Sequence, residues 1–184
     1  RRGGTVGFPL PGTEVRVVDD ADTLLPAGQI GHIQVRGDNV FAGYWGMPEK
    51  TQEEFTPDAY FRTGDMGRFD SDGYLAIIGR NKDLIITGGL NVYPKEIEEA
   101  IDALPGVAES AVIGLPHPDF GEAVTAVVVR GRGGEALTAE AIIAELKGRI
   151  AGFKVPKAVH FVDDLPRNAM GKVQKNLLRQ RFAA

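Results

Sequence analysis

The chain has 184 residues, 43% hydrophobic and 25% charged, which is enough apolar material for a packed core and too much for wholesale disorder. A formal net charge of −4 disfavours a general nucleic-acid binder, and the absence of Cys removes disulfides, thiolate metal sites and cysteine nucleophiles. No apolar run is long enough for a membrane span and no signal-peptide core follows Arg1-Arg2-Gly3-Gly4-Thr5, so a cytoplasmic protein is expected.

The chain opens on Arg1 without a Met, and a piece of a longer polypeptide is expected. Thr13–Val18 and Gly31–Gly37 alternate apolar and polar residues around a turn-rich stretch at 19–28, predicting a hairpin with a long loop. Residues 48–55 form a short helix candidate with Pro48 in its first turn. Residues 60–62 and 74–78 read as strands, the second after turn residues at 70–73. Past residue 80, helices alternate with strands. Pro94 can open a helix whose Ile97, Ala100, Ile101 and Leu104 share one face, and Pro105-Gly106 stops it. Strands follow at 107–115 and 123–130, then a helix over 139–150 capped by Thr138, then a strand at Ala158–Val162. The expected class is α+β. A mostly β segment over 1–80 precedes a small α+β domain over 81–184, with helices on one face of its sheet and a hinge near Arg80 to Asp83. Residues 147–184 carry nine Lys or Arg against Asp163 and Asp164, a basic end that suits either an anionic contact or a solvated face.

Three segments hold more than folding requires. In Tyr60-Phe61-Arg62-Thr63-Gly64-Asp65, an acid after a Gly turn at a strand end either accepts hydrogen bonds from a diol such as a ribose or caps the turn. In Gly79-Arg80-Asn81-Lys82-Asp83 through Thr87-Gly88-Gly89, Arg80 offers a rigid fork of donors. The paired glycines either admit a ligand close to the backbone or form an ordinary loop. In Leu165-Pro166-Arg167-Asn168-Ala169-Met170-Gly171-Lys172-Val173, Lys172 either enters a neighbouring cleft to neutralise developing negative charge or stays solvated.

Taken in order, and with Gly31-His32-Ile33-Gln34-Val35-Arg36-Gly37 through Gly43-Tyr44-Trp45 before them, these segments resemble the C-terminal part of the adenylate-forming enzymes. That superfamily includes acyl-CoA synthetases, luciferases and the adenylation domains of peptide synthetases. The sequence is most similar to acyl-CoA synthetases, and the texture of His117-Pro118-Asp119-Phe120-Gly121-Glu122 and of 165–175 resembles the malonyl-CoA synthetases. The resemblance implies that 1–80 ends a large N-terminal domain, closing its β-barrel, and that 81–184 is a mobile lid. It implies that Asp65 and Arg80 hold the ribose end of ATP, that Lys82 is the hinge, and that Lys172 is the catalytic cation of adenylation. Gly88 and Gly89 would line the passage for the pantetheine arm of CoA.

The implied reaction joins a small-molecule carboxylate to ATP with Mg2+, then to CoA. A cation at Lys172 would lower the repulsion between a carboxylate and a triphosphate. Carrier-protein loading and a non-catalytic module silenced by a protein lysine acyltransferase at Lys172 are the alternatives. The chain has no Gly-Lys-Ser/Thr after Gly3-Gly4-Thr5 and no acidic metal-binding segment. Phosphate and metal ligands are expected upstream, and 1–184 alone is expected to be inactive. His32, His117 and His160 show no metal-ligand spacing, and Trp45 and the Phe residues read as packing.

Overall fold

Residues 2–183 are described by a computed structural model, which divides into two compact units, one ending at Lys82 and the next beginning at Asp83. In the first unit, β1 (Thr13–Val18), β2 (Gly31–Gly37), β3 (Phe61–Phe69) and β4 (Leu75–Arg80) form an antiparallel sheet in that order. Alternation sorts its faces. Val17, Ile33 and Leu75 are buried with Val15, Val35, Phe69 and Ile77 against them. Arg16 stands opposite Gln34 and Gln34 opposite Arg62, a polar row across three strands.

The helix α1 (Pro48–Glu54) starts at Pro48, whose missing N–H would find no intrahelical partner there. Thr51 Oγ donates to the Met47 carbonyl and accepts from the Tyr44 amide, both at 2.9 Å, which ties the helix to the preceding loop. Phe41, Phe55 and Phe61 pack edge to face or tilted, with centroids 5.0–5.7 Å apart. Trp45 departs from the packing role expected of it and is 100% exposed.

The second unit is built on a five-stranded sheet of β5 (Ile85–Thr87), β6 (Leu90–Val92), β7 (Val107–His117), β8 (Gly121–Arg130) and β9 (Ala158–Val162). The path runs β6-β5-β8-β7, and β9 adds parallel to β8. Residues 123–128 of β8 are buried without a break, so both faces of that strand are covered.

Two helices, α2 (Pro94–Asp102) and α3 (Ala139–Lys147), cover one face. Ile97, Ile101, Ile142 and Leu146 meet Val112, Val124, Ala126 and Val128 there. A helix absent from the sequence reading, α4 (Lys175–Phe182), brings Leu178 and Leu165 against Ala111, Ile113 and Val127. These belong to the opposite side of the sheet by alternation, so the helices are not confined to one face. Thr138 caps α3 as expected, accepting from the Ala141 amide at 3.2 Å, but α3 stops at Lys147 with Gly148 as its C-cap rather than reaching 150. Glu98 of α2 accepts from the Val112 amide at 2.8 Å and pairs with Lys175 at 2.6 Å. Among the described residues no helix is long and apolar enough to cross a membrane.

Candidate functional site

Asp65 does not follow the end of a strand. It lies inside β3, on a bulge. His32 pairs with Met66 and Gln34 with Arg62, so Thr63, Gly64 and Asp65 together face the single residue Ile33. Gly64 makes this possible with φ of 72°, a left-handed conformation open to glycine. The Thr63 hydroxyl donates to the Ile33 carbonyl at 2.8 Å and accepts from the Asp65 amide at 3.1 Å.

Arg80 stands opposite Asp65 on β4 and grips the bulge at both ends. Its Nε donates to Asp65 Oδ1 at 2.9 Å and its Nη1 to the Thr63 carbonyl at 3.0 Å. A carboxylate held this way keeps lone pairs for two more donors, the requirement for binding a vicinal diol. Beside it opens a cleft of about 310 Å³ lined in part by Asp19, His32, Gln34, Glu54, Arg62 and Gly64.

Gln34 and Arg62 of that lining belong to a fixed polar lattice. Gln34 is fully buried, accepting from Arg16 Nε at 2.7 Å and donating to Asp22 Oδ1 at 2.6 Å. Arg62 donates to both oxygens of Asp22, and this bond holds the Asp22 carboxyl below the usual carboxylate range, helped by Gln34. Arg16 binds Asp58 through two bonds, and Arg16 with Thr56 lowers the Asp58 carboxyl to about 2. The bonds that Arg16, Gln34 and Arg62 make in this lattice were not legible from residue types alone, because they join residues 12 to 42 positions apart in sequence.

Lys82 is exposed in a 3₁₀ turn over Asn81–Asp83, where the two units are divided. Gly88 and Gly89 are not a loose loop. They are the two central residues of the β5–β6 hairpin, with φ of 56° and 76°, the signs a type I′ turn requires. A Cβ at either would meet nothing within 4 Å, so their outer surface is open. Ile86, Leu90 and Phe120 are exposed around this part of the sheet, and the Gly88 amide donates to the Phe120 carbonyl at 2.8 Å.

Lys172 lies between β9 and α4, on a loop closed by a bridge from Arg167 to Val173. Asn168 Oδ1 accepts from the Met170 and Lys172 amides, both at 3.0 Å, and Arg167 donates to the Gly171 carbonyl at 2.7 Å and to Glu109. The Lys172 side chain is exposed, whereas nearby Lys175 is tied to Glu98. Sequence reading found the lysine and missed its braces, although Asn168 with Gly171 is itself a turn signal. Asp65 and Arg80 are brought together in the first unit; Gly88-Gly89 and Lys172 occupy different loops of the second. Among the described residues no group of three or more His, Cys, Asp or Glu could hold a metal ion.

The chain is similar in sequence and in fold to known proteins. Residues 96–172 match the AMP-binding enzyme C-terminal domain and residues 1–45 match the AMP-binding enzyme family. A feruloyl-CoA synthase from Amycolatopsis is 44% identical over 97% of this chain and 36% of its own length. An oxalate–CoA ligase from Saccharomyces cerevisiae is 41% identical over the whole chain and 34% of its own length. ATP-bound MatB from Rhodopseudomonas palustris is 59% identical with a TM-score of 0.91, covering 98% of this chain and 36% of its own. The amide bond synthetase McbA from Marinactinospora thermotolerans is 38% identical with a TM-score of 0.90, over 97% of this chain and 36% of its own. The chain thus spans about a third of the length of the curated relatives it matches.

Proposed function

The chain belongs to the AMP-binding enzyme family, and from that premise we propose that it serves as the C-terminal part of an ATP-dependent acyl-CoA synthetase. The reaction is carboxylate, ATP and CoA to acyl-CoA, AMP and pyrophosphate. The observation that carries this reading is the exposed Lys172 ammonium on a loop braced from both sides by Arg167 and Asn168. Such a group, brought to a nucleotide as water is excluded, offsets the charge that builds when a carboxylate attacks a phosphate.

Asp65, aligned by Arg80, accepts hydrogen bonds from the ribose hydroxyls, and the open turn at Gly88-Gly89 borders the passage of the pantetheine arm. Residues 1–80 act with a larger domain, and 81–184 act as a lid that turns about Lys82 between the two half-reactions. The described residues offer no carboxylate cluster for Mg2+, and the chemistry assigned to this chain uses its own side chains. Malonate is the proposed carboxylate, supported by the resemblance of 117–122 and 165–175 to malonyl-CoA synthetases. The Cys-free composition suits a reducing cytoplasm. The exposure of Lys172 also suits modification by a protein lysine acyltransferase, which would silence adenylation by removing the charge.

The test uses the longer enzyme that carries this chain. Lys172→Ala should lower carboxylate-dependent ATP–pyrophosphate exchange by roughly 10²-fold or more, and Lys172→Arg should not restore it, because guanidinium keeps the charge but not the shape. Conversion of supplied acyl-adenylate to acyl-CoA should survive both changes. Unaltered exchange in Lys172→Ala would remove the catalytic role. Transfer only to a carrier-bound thiol would make the enzyme a carrier-loading one.

A further inference from the structure

We infer that Thr63 is a positioning residue for nucleotide binding, acting through Asp65; the inference rests on the nucleotide role proposed for that aspartate. In an unbroken ladder the Ile33 carbonyl would accept from an amide of β3. The bulge breaks that regular pairing, because three residues of β3 face Ile33 alone. The Thr63 hydroxyl supplies a link there, donating to the Ile33 carbonyl at 2.8 Å and accepting from the Asp65 amide at 3.1 Å. It joins the two strands across the gap and fixes the backbone that carries the carboxylate.

Arg80 completes the frame from the other side, through the Thr63 carbonyl and Asp65 Oδ1. Two features separate this from ordinary sheet repair. Gly64 adopts φ of 72° between the two framed residues, a conformation that non-glycine residues hold only under strain. And a bulge of this size re-aims a side chain that a regular strand would point along the alternation of the sheet. Thr63 is therefore selected for a hydroxyl at one point in space, and its methyl group is secondary. Valine matches its shape and lacks the hydroxyl; serine keeps the hydroxyl and lacks the methyl.

The experiment is steady-state kinetics of the longer enzyme with Thr63→Val, Thr63→Ser, Asp65→Asn and the double variant Thr63→Val/Asp65→Asn. Thr63→Val should raise KM for ATP by about tenfold with kcat changed by less than about threefold, since loss of an aligned acceptor weakens nucleotide binding in ground and transition states alike. Thr63→Ser should return KM to within about threefold of the parent, and the double variant should be no worse than Asp65→Asn. If Asp65→Asn itself leaves KM for ATP unchanged, the nucleotide role of Asp65 fails and the inference with it. If Asp65→Asn raises KM while Thr63→Val does not, or the two changes multiply, Thr63 does not act through Asp65. Failure of rescue by serine likewise overturns it. Circular dichroism melts of the same variants separate the kinetic effect from unfolding, because a purely structural role would follow the melting temperature and not KM.

Discussion

Asp58 shows how one exposed carboxylate can still register on stability. Arg16 reaches it at 2.7 and 3.1 Å, lies over the Tyr60 ring at 3.8 Å, and also holds the buried Gln34. The Asp58 carboxyl is lowered from 3.8 to about 2, chiefly by Arg16 and then by Thr56. A carboxyl lowered on folding stabilises the fold above its unfolded value, and that contribution disappears as pH falls through the folded one. The loss from Asp58 therefore falls between about pH 4 and pH 2. Asp58→Asn should lower the midpoint of the first unit's melt at neutral pH and make its decline over that window shallower. Glu14 and Asp22, lowered by Arg36 and Arg62, leave some of the acid limb in place. Acid limbs of equal steepness in parent and variant would show that the Arg16 bond does not set this behaviour.

At the scale of an element, the β5–β6 hairpin makes the sharpest demand on sequence. Both central residues need φ above zero, and Asn tolerates this where Ala does not. Gly88→Ala should lower the stability of the second unit by about 1–2 kcal/mol in denaturant titration, while Gly88→Asn should stay near the parent. Equal losses for Ala and Asn would mean that bulk, not backbone conformation, is limiting. This hairpin also shows where reading from sequence stops. Thr13–Val18 with Gly31–Gly37 was legible, because long alternating strands carry a period. Ile85–Thr87 and Leu90–Val92 are three residues each, too short to show one, so Gly88-Gly89 read as loop. The end of β3 was lost for a related reason. Gly64 looks like a turn in isolation and becomes a bulge only when β2 and β4 lie on both sides. The helix α4 went unseen since Lys175, Arg179 and Arg181 mask a face whose buried member is Leu178 alone. The candidate site residues were read through resemblance; the bonds from Arg80 to Asp65 and from Thr63 to Ile33 cross the sheet and leave no local trace, whereas the Asn168 turn that braces Lys172 is local and was missed.

For the whole molecule, the two units differ in how much apolar surface they enclose. The first rests on Val17, Ile33 and Leu75 with partly buried neighbours, on one side of its sheet. The second has layers on both sides, including fully buried Ile97, Ile101, Ile113, Ile142 and Leu146. Protection from hydrogen exchange tracks buried apolar packing, so amides of Val112, Ala126 and Val127 should exchange last and those of β1 and β4 earlier. The reverse order would show that the polar lattice of Arg16, Gln34, Asp22 and Arg62 stabilises the first unit more than its core does. The bond from Glu98 to the Val112 amide has a further meaning at this scale. The strand holding Val112 runs for 11 residues along the outer margin of its sheet, a natural template for a second copy to extend. Placing an anion on one of its amides, with Lys175 alongside, denies an incoming strand that donor and leaves two charges to desolvate, so this contact acts as a guard against fibrous association.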